Sequence, residues 1–179
     1  MILILVWIVM IVYLNGVKNR KMPMDLFFMI RNGLMEEYQQ AMLNTDINSS
    51  NEYGQNLLQE AIAYYKEDIA IDLINKGIDI NHQDKKGWTP LHFCAQYSNT
   101  TIAEMLLQKG AKVNIVDIYG NNPLWYAVFN AHDDYKIIKL FMEYDADATT
   151  KNNSMRSPLD FARQIGDDVM IEILLRRRN

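Results

Sequence analysis

The sequence predicts an all-α fold: a solenoid of about five helix-turn-helix units joined by short β-hairpin-like loops, with an apolar segment ahead of it. Three observations carry that expectation. A glycine-containing block recurs at an interval of 33 residues, and fixed periods of this size mark stacked repeats. Each block leads from a helix-start signal to a glycine stop. The chain has 179 residues, 49% of them hydrophobic, and one cysteine, so it makes one domain without an intramolecular disulfide or a cysteine-built zinc site. That cysteine usage suits a reducing compartment. Three histidines, His82, His92 and His132, are too few and too scattered to read as a metal cluster.

The chain opens with "MILILVWIVMIVYLNGV", Met1 to Val17, which is apolar without a break as far as Leu14. As a helix that apolar run would span about 21 Å at ~1.5 Å per residue. A bilayer core is about 30 Å thick and needs roughly 17–25 residues, a minimum reached only by counting on to Val17. A secretory signal wants its positive charge first and a small-residue cleavage site after. Here Lys18, Arg20 and Lys21 come afterwards. Two readings stand level: a short anchor that, by the positive-inside rule, leaves the rest on the cytoplasmic side of the inner membrane, or a true start at Met22 or Met24. Burial as an extra strand or helix stands behind them, suggested by the β-branched Ile2, Ile4, Val6, Ile8 and Val9. Residues 1–21 are therefore a leader and 22–179 the repeat domain, cytoplasmic under both leading readings.

Within that domain, "NEYGQNLLQEAI" (51–62), "DKKGWTPLHFCA" (84–95) and "DIYGNNPLWYAV" (117–128) stack in register. Leu58, Leu91 and Leu124 fall 33 apart, as do Gly54, Gly87 and Gly120. "NKGIDIN" and "QKGAKVN" repeat at the same interval, and "MRSPLDFA" (155–162) follows at 35, its two extra residues falling in "FNAHDDYK". The units run about 24–50, 51–83, 84–116, 117–151 and 152–179. In the third unit the spacing predicts helices over Pro90–Tyr97 and Thr101–Gln108. Thr89 caps the first with Pro90 at its first position, and Gly110 supplies the left-handed end of the second. Ile102, Met105 and Leu106 recur at helical spacing and face a neighbouring unit. The outermost copies are the most degenerate, as caps should be, and Arg176-Arg177-Arg178 oppose the dipole of the last helix.

These residues resemble the ankyrin repeat from about Leu26 to Leu175. Its T-P-L-H-x-A hallmark is Thr89, Pro90, Leu91, His92, Phe93 and, in the alanine place, Cys94; Gly110 and Asn114 match the glycine and closing asparagine. The resemblance implies that the histidine hydrogen-bonds within the turns linking repeats and that the alanine place packs on the next helix. It also implies that partners bind the hairpin tips and the exposed face of the first helices.

Catalytic candidates are few. His92 and Cys94 sit two apart on a helix, about 200° around its axis, so they do not form a thiol–imidazole pair. His132, Asp133 and Asp134 crowd "NAHDDYK", where one loop offers no rigid metal shell and a solvated insertion explains them. No phosphate loop, paired catalytic carboxylates or nucleophile motif appears. The sequence thus assigns no catalytic residue, metal or cofactor. Residues 22–179 carry 15 basic against 22 acidic residues, a net −7 that argues against nucleic acid as a partner.

What packing does not explain lies on the tips and the ends of the first helices. The candidate partner-binding residues are Tyr53, Gln55, Lys85, Lys86, Trp88, Tyr97, Ile118, Tyr119, Asn121, Asn130 and Arg156, with Tyr64 at the point equivalent to Tyr97. Aromatics there fit interface hot spots, which favour Tyr, Trp and Arg. For Trp88 and Tyr119, packing between adjacent tips stands level with binding. The expected protein is a monomer that binds another protein. The run "PLWYAVFN", the insertion and "KNN" resemble short bacterial ankyrin proteins encoded beside secreted toxins, which implies an immunity protein. An acidic body would suit masking a basic toxin. The alternative is a membrane-tethered adaptor held by residues 1–17.

Overall fold

The structure, a computed structural model, describes residues 25–176. The leader 1–21, the candidate starts Met22 and Met24, and Arg177 and Arg178 lie outside the described residues. Among the described residues ten helices follow in pairs: α1 (Leu26–Asn32) with α2 (Met35–Met42), α3 (Leu57–Ala63) with α4 (Glu67–Asn75), α5 (Pro90–Gln96) with α6 (Thr100–Gln108), α7 (Pro123–Phe129) with α8 (Lys136–Glu143), and α9 (Pro158–Ile165) with α10 (Asp168–Leu175). The first helices of the pairs pack on one another in series, as do the second helices from α4 onward, making two layers. None of these helices is long and apolar enough to cross a membrane.

The 33-residue period is a period of burial. Leu58, Leu91, Leu124 and Leu159 form one buried column through the first layer. Leu73, Leu106, Phe141 and Leu174 form another through the second. Each such side chain contributes roughly 1.5–3 kcal/mol by leaving water, and none does so without its neighbour. Ala61, Cys94, Ala127 and Ala162 occupy a third column where helices approach closely, so the thiol sits as a small hydrophobe. Burial pushes the Cys94 thiol far above its ordinary pKa, leaving it protonated and inert.

Each first helix from α3 onward begins at an extended residue, Asn56, Thr89, Asn122 or Ser157, and Pro90, Pro123 and Pro158 fill the first position of three of them. Asn56 and Ser157 accept from the backbone N–H of Gln59 and Asp160, whose side chains accept from the cap N–H in return.

Ahead of each start lies the same tight turn. Asn51, Asp84, Asp117 and Asn152 each accept, at Oδ1, the N–H groups two and four residues on, over 2.8–3.1 Å. The fourth residue is left-handed: Gly54, Gly87, Gly120 and, in the last copy, Met155. At Gly87 a Cβ would come within 3.0 Å of Asp117 Cα, so the glycine also lets two tips meet. That closeness permits one backbone bond per step: Lys85 N–H to Tyr53 O at 3.1 Å, Ile118 to Lys86 at 3.0 Å and Asn153 to Tyr119 at 2.9 Å.

A second set of links runs deeper. His92 Nδ1 accepts from the Thr89 N–H at 3.0 Å, and its Nε2–H donates to Asn121 O at 3.1 Å, which selects one neutral tautomer. Gln59, 33 residues earlier, makes the same pair of bonds: Oε1 accepts from Asn56 N–H at 2.8 Å and Nε2 donates to Trp88 O at 2.6 Å. The closing asparagines add a third rung, Asn48, Asn81 and Asn114 accepting from Asp79, Lys112 and Asp147 N–H at 2.8–3.2 Å. The two-residue insertion in the fourth unit is absorbed by His132 and Asp133, both exposed and left-handed, so the rungs on either side keep their register.

Burial of His92 lowers its pKa from 6.5 to about 4. The folded state holds the ring neutral while the unfolded chain takes up a proton below pH about 6.5. Stability should therefore be complete above that pH, fall by up to about 3 kcal/mol as pH drops toward about 4, and level off below for this group. Because Gln59 makes the same bonds without titrating, His92→Gln should keep the neutral-pH stability and flatten that slope, read as urea midpoints across pH 4–7.

Candidate functional site

The tips and first helices together form one surface, the front, with the second helices behind. The predicted binding residues separate by depth on it. Tyr53 and Tyr119, at the apex of their turns, and Ile118 beside Tyr119 are exposed (59%, 56% and 56%), and Lys85, Lys86 and Arg156 are exposed with them. Gln55, Tyr97 and Asn130 are half-buried. Two residues placed on the tips by sequence lie lower than expected. Trp88 is half-buried, its ring 4.6 Å from Tyr126, 5.4 Å from Phe93 and 6.1 Å from His92. Asn121 is buried because its amide oxygen accepts from Asn152 Nδ2 at 2.8 Å, tying the third tip to the fourth. Both are the fifth residue of the turn, where the chain re-enters the stack; the apex is the third.

Thr89, Pro90, Leu91 and His92 are buried at the start of α5, Gly110 is left-handed after α6, and Asn114 bonds across to the next unit through both ends of its amide. His92 and Cys94 are both buried, each within its own packing column. Among the described residues no group of three His, Cys, Asp or Glu side chains is placed to hold a metal ion.

Two shallow clefts flank the first helices. One, of about 300 Å³, is lined by Arg31, Tyr53, Gln55, Glu60, Ala63, Tyr64, Phe93 and Tyr97, drawn from the first three units. Glu60 is 2% exposed, ion-paired to Arg31 Nε, and accepts from Asn51 Nδ2 at 3.1 Å. The Arg31 guanidinium lies 5.8 Å above the Tyr64 ring, and its bond to Glu60 raises its pKa further. The second cleft, of about 200 Å³, lies beside the inserted loop between Phe129, Phe161 and Ile165, with His132 and Asp133 at its rim. Phe129 and Phe161 stand 5.5 Å apart, and Phe161 lies 5.9 Å from Trp125.

Arg31 and Glu60 are the residues that sequence reasoning missed. Glu60 did carry a signal: its column continues as Phe93, Tyr126 and Phe161, so it is a carboxylate in a place the other units fill with an aromatic ring. Arg31 carried none, since it lies in the degenerate first copy.

Charge is unevenly placed. The described residues hold 13 basic and 22 acidic side chains, net −9. Sixteen of the acids lie on the second helices and the loops at their ends. On the tips and first helices the exposed charges are Arg31, Lys85, Lys86, Arg156 and Arg163 against Asp25 and Glu52. Asp25 and Asp160 are spent on helix caps, Asp84 and Asp117 within turns. The acidity that would suit a basic partner thus lies away from the expected binding surface.

Compared with known families, residues 26–117 and 61–152 match the model described as "Ankyrin repeats (3 copies)". No curated protein matches the chain.

Depth should decide stability. Trp88→Ala should cost about 2–4 kcal/mol in urea unfolding, while Tyr53→Ala and Tyr119→Ala should stay within about 0.5 kcal/mol. Equal small losses at all three positions would make the indole contacts incidental.

Proposed function

The chain belongs to the ankyrin-repeat family, whose repeats generally mediate protein–protein interaction, and from that premise we propose that it is a non-catalytic module that captures a protein partner on its front face. The observation that carries this reading is the row of large side chains left exposed there. Tyr53, Tyr64, Tyr65, Ile118, Tyr119 and Phe129 are all exposed although polar residues would keep such positions soluble. Tyrosine buries much area for little lost rotamer freedom, so these rings suit a rigid recognition surface. The ladder of bonds beneath holds them in place before binding, which lowers the ordering cost of association.

The sharper version of the proposal is toxin neutralisation, in which the front covers a secreted toxin's working surface. It rests on the likeness to short bacterial ankyrin proteins in "PLWYAVFN", the inserted loop and "KNN". The second reading, a membrane-tethered adaptor, rests on the apolar run Met1–Leu14 followed by Lys18, Arg20 and Lys21.

Affinity capture in the native host, followed by mass spectrometry, tests the front. The chain should retain a stoichiometric partner that a Tyr53→Ala/Tyr119→Ala variant loses, with Tm unchanged within about 2 °C. A partner held equally by both proteins would place its site elsewhere. Co-production with the product of each adjacent gene tests the sharper version, since relief of growth arrest is expected from one of them.

A further inference from the structure

We infer that the partner presents an acidic segment to the front and that Arg31 is its anchor. This rests on the protein-binding reading above and adds the chemistry of what is bound.

The argument begins at the buried end of the cleft. A lone carboxylate at 2% exposure is costly unless paired, and Glu60 is held by Arg31 and Asn51 together. That pairing uses only Nε of the guanidinium. The four Nη–H donors of Arg31 have no partner among the described residues, and the side chain remains 39% exposed where it lines the cleft. A guanidinium fixed by a carboxylate on one edge and a ring beneath, with its outer donors open, is prepared for bidentate binding of a second carboxylate. Tyr53, Tyr64 and Tyr97 wall the same cleft and offer apolar area beside the charge.

The rest of the front agrees in sign. Lys85, Lys86, Arg156 and Arg163 are exposed along it, opposed by exposed Asp25 and Glu52, while acids dominate the back. Complementary charge sets the approach and orientation of a partner and rejects wrong ones. A carboxylate-bearing protein segment fits better than a nucleic acid. Phosphate backbones need dense cations, and here the described residues are net −9, with the acidic field close behind a thin cationic face.

Three synthetic peptides with one shared apolar frame, carrying Glu, Gln or Lys at the same four positions, test this when titrated into the isotope-labelled full chain, with a short oligo-dT as a fourth probe. The Glu peptide should shift the Arg31 Nε–H and the Tyr53 and Gln55 amides, and bind at least about tenfold tighter than the other probes. Arg31→Gln alone leaves Glu60 buried without its charge partner and risks unfolding. The double variant Arg31→Gln/Glu60→Gln keeps a neutral hydrogen-bonded pair and should abolish the preference for Glu. Tightest binding by the Lys peptide or the oligonucleotide, equal binding by all, or no binding at about 1 mM would overturn the inference. If the Lys peptide binds but still maps to the front, only the acidic chemistry fails. If every peptide maps to the second helices, the front-face reading fails with it.

Discussion

One turn, repeated four times, sets the terms for everything else. A single side-chain oxygen on Asn51, Asp84, Asp117 or Asn152 gathers two backbone N–H groups and closes the tip into one shape. Only in that shape does the following tip offer an N–H to a carbonyl of the one before it. Chains of this kind have no long-range core, so stability is close to a sum over units and the contacts between neighbours. The tip bond, the Gln59 or His92 link and the closing asparagine tie the second unit to the third and the third to the fourth at three heights. The leucine columns then stack in register as a consequence, and supply most of the energy.

The same geometry explains how recognition is separated from stability. Everything needed to hold neighbours together is taken from the inner positions of the turn and the inner stripes of the helices. The side chains at the apex and at the outward ends of the first helices are left without a structural task, and there Tyr53, Tyr119 and Phe129 are exposed. Arg31 belongs to both groups, because one edge neutralises Glu60 while the other stays open.

Where sequence sufficed and where it did not follows from range. Columns such as Leu58, Leu91, Leu124 and Leu159, the left-handed Gly87 and the caps at Thr89 and Ser157 are local or strictly periodic, and could be read directly. Depth within a turn was harder: Lys86 and Trp88 lie two residues apart, yet one is exposed and the other packs on Tyr126. Asn121 looked like a free tip amide because its partner, Asn152, lies one unit and an insertion away. The Arg31–Glu60 pair spans 29 residues from a degenerate copy into a regular one, beyond the reach of any period.

The central claim, that the tip-to-tip bonds hold the stack in register, is tested most directly by native-state hydrogen exchange at Lys85, Ile118 and Asn153. If these bonds couple the units, the three amides exchange only with the unfolding of whole units, protected to within about tenfold of the core amides of α5 and α6. Exchange at the rate of free loop amides, with the helices still protected, would contradict it and leave the apolar columns as the sole source of register.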